Sequence, residues 1–194
     1  MADEPLTALD QLATAARGCT ICAAVLPLGP RPVVRVSPTA RLLIIGQAPG
    51  TKVHISGLPF DDASGDRLRG WMGIGRDIFY DASRINFMPM GFCYPGRLQN
   101  GGDAPPRPEC APAWHDKFLA LLPQLELILL VGGYAQKRYL GKASMTENVR
   151  AGAGGKYLPL PHPSWRTSGW EKQNPWFTET ILPRLKTEVA RLTQ

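Results

Sequence analysis

The sequence predicts an α/β protein: a mostly parallel sheet with helices on both faces. Short, wholly apolar runs read as strands buried on both sides, and they alternate with segments of helical periodicity. The chain of 194 residues has the length of one domain and is large enough to bury a core without help from a disulfide or metal. Its 44% hydrophobic content argues against disorder, and no apolar stretch nears the roughly 20 residues a bilayer span needs. The opening Met1-Ala2-Asp3-Glu4-Pro5 is acidic and lacks the basic and apolar blocks of a secretion signal, so a cytoplasmic, soluble protein is expected, with no membrane partner.

Leu6 to Arg17 carries apolar residues at helical spacing and stops at Gly18. Arg41-Leu42-Leu43-Ile44-Ile45 reads as a buried strand ending at Gly46. Asp66 to Gly75 reads as a helix, Phe87 to Phe92 as a second strand and Pro112 to Leu122 as a helix. Leu127 to Val131 is the most strand-like run in the chain, Tyr134 to Leu140 a helix, Lys156 to Leu160 the last strand and Trp176 to Leu192 the closing helix. No repeat or low-complexity tract divides the chain, so residues 1–194 form a single domain, expected to be a monomer. In such sheets ligands bind beyond the carboxyl ends of the strands. Two unusual loops fall there, Gly46-Gln47-Ala48-Pro49-Gly50 and Pro161-His162-Pro163-Ser164, and their coincidence marks a site.

The net charge of +6 is segregated: residues 1–132 hold as many acidic as basic residues, and residues 133–194 carry the whole excess. Such segregation points to one face meeting a polyanion, most simply nucleic acid, against the plainer alternative of a solvated basic helix around Arg184, Lys186 and Arg191. Cys19 and Cys22 form C-x2-C, with Cys93 and Cys110 following singly. In a reducing compartment these are not disulfides. Four thiolates suit either tetrahedral zinc or an iron–sulfur cluster, and spacing alone does not choose.

Taken in order, these motifs resemble the uracil-DNA glycosylase superfamily, most closely its iron–sulfur branch, family 4. That branch reads C-x2-C, a strand followed by G-E-A-P-G, then P-F, a third and a fourth Cys, and finally H-P. Here the pattern stands as Cys19-Thr20-Ile21-Cys22, Gly46-Gln47-Ala48-Pro49-Gly50, Pro59-Phe60, Cys93, Cys110 and His162-Pro163-Ser164, covering about residues 18–183. The resemblance implies a three-layer α/β/α sandwich around a four-stranded, mostly parallel sheet. It turns the cysteine alternatives toward a structural [4Fe–4S] cluster on Cys19, Cys22, Cys93 and Cys110, with zinc as the lesser alternative. It further implies a DNA repair glycosylase that flips deoxyuridine out of single- or double-stranded DNA, hydrolyses the N-glycosidic bond and leaves an abasic site.

On that reading Phe60 stacks on the base, and His162 donates a hydrogen bond to the uracil oxygen as negative charge develops. Gly46, Gln47 and Ala48 supply close backbone contacts to uracil, which glycine permits. The chain departs from its relatives where Gln47 replaces the family Glu and where Ala48 stands at the position of another branch's catalytic Asp. An amide orients water or touches the base but cannot act as a general base. Replacement candidates are His54, Asp61 and Asp62, the two acids serving alternatively as helix caps. A second departure is Pro89, at the place of the Asn that pairs with uracil in family 4. Asn86 is three positions away, which reverses its side-chain direction on a strand, leaving backbone groups to read the base.

Residues Ser164 to Lys172 are expected to form the DNA-facing loop. In it Ser164 is a DNA contact, Arg166 and Lys172 hold phosphates, and Trp165 or Arg166 fills the gap left by the flipped nucleotide. The loop lacks the arginine-rich form that lets one branch attach covalently to DNA, so no adduct is expected. Two rivals accompany this reading: a non-catalytic binder of uracil or abasic DNA, and a glycosylase for another deaminated base.

Overall fold

A computed structural model describes residues 6–99, 101–141, 143–152 and 155–194. Four strands, β1 (Leu42–Ile45), β2 (Ile85–Phe87), β3 (Leu127–Val131) and β4 (Tyr157–Leu160), form one sheet in the order β2-β1-β3-β4, every pair parallel. β1, β2 and β3 are buried at every position, as apolar runs without alternation require of a sheet covered on both faces.

Alternate strand residues feed two separate cores. Leu42, Ile44, Phe87, Leu129, Val131 and Leu160 pack with α3 (Ala63–Met72), α7 (Met145–Ala151) and α9 (Leu182–Leu192). Leu43, Ile45, Ile128 and Leu130 pack with α1 (Ala8–Arg17), α5 (Cys110–Ala120) and α6 (Gly133–Leu140). The result is the expected three-layer α/β/α sandwich. Shorter helices α2 (Thr51–Ser56), α4 (Arg76–Phe79) and α8 (Thr167–Gln173) fill the connections. Among the described residues no helix is long and apolar enough to cross a membrane.

The structure corrects the element reading in three places. The second strand is Ile85–Phe87, not Phe87–Phe92: Pro89 has no N–H for a ladder, and the chain beyond it hydrogen-bonds instead to the loop after β1, from Met90 N to Gly46 O at 2.9 Å and from Gly91 N to Gln47 O at 3.0 Å. The closing helix is broken into a π-helical turn, Phe177–Ile181, and α9, because Pro183 lacks the N–H that would continue regular helical bonding. The segment expected as one DNA-facing loop is a loop only to Arg166; from Thr167 it becomes α8.

Chain order places β1 and β3 side by side in mid-sheet with crossovers leaving to opposite sides, so a crevice opens beyond their carboxyl ends. The loops after β1, β2 and β4 reach that crevice.

Candidate active site

A cavity of about 90 Å³ lies there, lined by the Gly46–Gly50 loop after β1, Phe87 and Pro89 after β2, Pro59, Phe60, Asp62 and Ser64 ahead of and within α3, Asp103 and His162. It opens into a groove of about 490 Å³ whose walls include Arg97, Leu98, Gly102, Ser164, Trp165 and Arg166.

Phe60 is held by backbone as much as by packing. Its φ of 54° lies in the left-handed region, and it is the sole non-glycine residue there among those described. Its carbonyl accepts hydrogen bonds from the Tyr80 hydroxyl at 3.2 Å and from Arg69 Nη1 at 3.5 Å. Its ring meets Phe79 and Phe87, each with centroids 6.3 Å away. Two glycines make room: a Cβ on Gly46 would stand 3.0 Å from the tip of the Phe60 ring, and one on Gly65 would stand 1.7 Å from the Phe60 carbonyl oxygen. Motif glycine and aromatic ring are therefore one packing unit, placing an aromatic wall beside the loop after β1.

His162 leaves β4 between two prolines, and its carbonyl accepts the Ser164 N–H at 2.8 Å and the Thr167 hydroxyl. Arg67 on α3 ties the following turn down: Nη1 donates to the Ser164 carbonyl and the Ser168 hydroxyl, both at 3.0 Å, and Nη2 pairs with Glu171 at 2.7 Å. Burial lowers the imidazole's affinity for a proton, with Asp62 and Asp103 pulling it back up. The net direction is down, so His162 is neutral near pH 7, a state with one N–H to donate.

Gln47 and Ala48 line the cavity, but the Gln47 amide is engaged: its Nε2 donates to the Ala104 carbonyl at 3.1 Å. Among the described residues no carbonyl accepts the N–H groups of Gln47, Ala48 or Gly50. Asp62 lines the cavity and also caps α3, its Oδ1 accepting the Gly65 N–H at 2.9 Å. Asp61 does not line it; it pairs with Arg76 at 3.1 Å. His54 does not line it either. It is buried on α2 with its ring 6.0 Å from Tyr94. Asn86 is fully buried elsewhere, accepting the Ser37 N–H at 2.7 Å and donating to the Ser37 carbonyl at 3.2 Å.

Backbone reading of the base at residue 89 has little to offer. Proline has no N–H, and its carbonyl faces His115 Nε2 at 3.0 Å. Of the expected DNA contacts, Ser164, Trp165 and Arg166 line the groove, Trp165 being 79% exposed, while Lys172 lies in the last turn of α8. Asp103, Arg97 and Leu98 were not foreseen. They sit between the third and fourth cysteines in a stretch without periodicity or a recognisable motif, and only the fold brings them to the site.

All four cysteines line a second cavity together with Arg107 and Trp114. Arg107 Nε and Trp114 Nε1 are buried without a hydrogen-bond partner, and the Phe92 N–H points at Cys110 Sγ at 3.3 Å. Among the described residues no three of His, Cys, Asp or Glu are grouped closely enough to hold a single metal ion.

The family model of the uracil DNA glycosylase superfamily matches residues 34–186, most of the chain and every cavity residue named above. The chain belongs to the uracil DNA glycosylase superfamily. Membership makes it a DNA glycosylase by class, a hydrolase that acts on DNA.

Proposed function

We propose that the protein excises uracil from DNA by hydrolysis of the N-glycosidic bond. The observation that carries this reading is the meeting of Phe60, neutral His162 and the Gly46–Gly50 loop around one cavity beneath a groove lined by Arg97 and Arg166. The nucleotide is flipped from the stack, its base enters beside Phe60, and the arginines take the flanking phosphates. As the bond to the sugar breaks, the electron pair leaves with the base. His162 N–H donates to a uracil oxygen where that charge accumulates, and a donor already fixed by its turn needs no reorganisation. The N–H groups of Gln47 and Ala48 supply the remaining donors.

The four cysteines would hold a [4Fe–4S] cluster of the family 4 kind, which contributes structural order to the segments around it. Arg107 Nε and Trp114 Nε1 fit that group, since cluster sulfides accept the hydrogen bonds these donors lack.

The test is single-turnover cleavage of an oligonucleotide with one uracil, split by alkali at abasic sites, using protein whose iron and acid-labile sulfide have been assayed. Wild type is expected to cleave, His162→Ala to lose at least about 100-fold in rate, as removal of an oxyanion-type donor does. Cleavage that is insensitive to His162, or a folded protein that binds uracil-containing DNA without turnover, would overturn the assignment. Zinc in place of iron would overturn the cluster.

A further inference from the structure

The cavity contains a carboxylate that the motif loop does not supply. Asp103 comes from a hairpin between the third and fourth cysteines, its two described arms being residues 96–98 and 101–104. The hairpin is closed by an antiparallel bridge between Arg97 and Asp103, by Leu98 N to Gly102 O at 3.0 Å and by Ala104 N to Gly96 O at 2.9 Å. Its root is fastened to the motif loop, since Gln47 Nε2 donates to the Ala104 carbonyl, next to Asp103, at 3.1 Å. Asp103 Oδ2 lies 3.2 Å from where a Cβ on Gly50 would be, so the last glycine of the motif leaves the space that the carboxylate occupies. Asp103 lines both the cavity and the groove, where the two adjoin.

We propose that Asp103 is the catalytic carboxylate of this enzyme, delivered across the Gly50 gap by the hairpin that Gln47 anchors. The inference rests on the glycosylase reading above. Three features separate Asp103 from the other acid in the cavity. Asp62 has an oxygen committed to the Gly65 N–H as a helix cap. Among the described residues no donor hydrogen-bonds the Asp103 carboxylate, so both oxygens are available to water and to a developing cation. Desolvation at the cavity pushes its carboxyl above the usual range, with Arg97 drawing it down, Asp62 pushing it up and His162 drawing it down, so its basicity exceeds that of a surface aspartate.

The step balances without any further reactant. The N1–C1′ bond breaks and its electron pair leaves with uracil, whose oxygen takes the His162 hydrogen bond. Positive charge spreads over C1′ and the ring oxygen opposite the Asp103 carboxylate. Water adds to C1′, its proton passes to Asp103, and Asp103 returns that proton to the uracil anion through solvent. Gln47 acts here as a positioning residue. It cannot accept the proton, but it fixes the segment that does.

The test pairs two readouts on Asp103→Asn, Asp62→Asn and Asp61→Asn, each first checked for an unchanged thermal midpoint. In single-turnover cleavage of uracil DNA, Asp103→Asn is expected to lose about 100-fold or more, as loss of a general base does, and Asp61→Asn to stay within about twofold. The second readout is equilibrium binding of two uncleavable oligonucleotides, one carrying a cationic pyrrolidine in place of the sugar and one a neutral tetrahydrofuran. Wild type is expected to prefer the cation by about tenfold, and Asp103→Asn to lose that preference. Cleavage by Asp103→Asn within threefold of wild type, an equal preference for the two analogues in wild type, or loss of both properties in Asp62→Asn alone would overturn the proposal. A wild type that discriminates between the analogues through Asp103 yet cleaves no uracil DNA would leave the carboxylate's role standing and remove the uracil assignment instead.

Discussion

Phe60 concentrates the site's constraints on one residue. A left-handed conformation costs an L-residue with a bulky side chain roughly 1–2 kcal/mol, and it persists only where the surroundings over-determine it. Here the Tyr80 hydroxyl and Arg69 guanidinium grip the carbonyl, and Gly65 gives it space within α3. An alanine at 65 would put a methyl 1.7 Å from that oxygen, against backbone that has nowhere to go. Gly65→Ala is therefore expected to cost about 2 kcal/mol or more, seen as a fall of roughly 4–8 °C in thermal midpoint. Cleavage measured well below that midpoint should fall further than the remaining folded fraction explains, because the ring moves with its backbone. Unchanged activity in a merely destabilised variant would separate the strain from the site. None of this is visible in the sequence. Phe60 is legible there by its place after Pro59, but its φ and its dependence on a glycine five residues later emerge only once α3 packs.

At the scale of elements, β2 shows most clearly what periodicity can and cannot say. The apolar run around Phe87 announces a strand, yet its end is set by Pro89, and the chain beyond turns to the loop after β1. Pro89 is held from behind. Its carbonyl meets His115 Nε2 on α5 at 3.0 Å, and His115 Nδ1 meets the Tyr139 hydroxyl on α6 at 2.7 Å. For a neutral ring this fixes the tautomer, with Nε2–H donating to Pro89 and Nδ1 accepting from Tyr139. Burial drives the His115 pKa from the usual 6.5 to about 4. The unfolded chain thus binds a proton between those values that the native state refuses, so this part of the stability is fully present above pH 6.5 and is lost as pH falls toward 4. Moving from pH 7.5 to 5.0 should cost on the order of 2 kcal/mol, His162 adding in the same direction. Urea unfolding at the two pH values measures it. His115→Gln, which keeps a donor and an acceptor, should remove most of the difference, and an equally steep loss in that variant would place the titrating group elsewhere.

Across the whole molecule, the parallel sheet and its two covered faces were legible because β1 and β3 are uniform apolar runs, which suit strands buried on both sides, whereas the order β2-β1-β3-β4 comes from the structure alone. The candidate site was legible only in part. Gly46, Gln47, Ala48, Phe60 and His162 meet around one cavity, whereas Asp61 and His54 turn away from it, and Asp103 arrives from a hairpin with no sequence signature. Charge was the least faithful guide, since position along the chain is not position on the surface. The excess of +6 falls in residues 133–194, but Arg191 spends its guanidinium on Glu126 and Glu188, and Arg184 reaches the Gly152 carbonyl. The groove instead draws Arg97 from the neutral part of the chain and Arg166 from the basic part, with Arg166 packed 3.5 Å from the Cβ position of Gly102 across the groove. A phosphate contact releases counterions, so each one lost should flatten the slope of log affinity against log salt by about one. Fluorescence anisotropy with a single-stranded oligonucleotide carrying a tetrahydrofuran abasic site, titrated across salt, should show that flattening for Arg166→Ala and for Arg97→Ala. Arg191→Ala should leave the slope unchanged, because its charge is already answered within the protein. If Arg191→Ala flattened the slope as much as the groove variants, DNA would be reaching the far edge of α9, and the two-loop groove would be too small an account of how this protein holds its substrate.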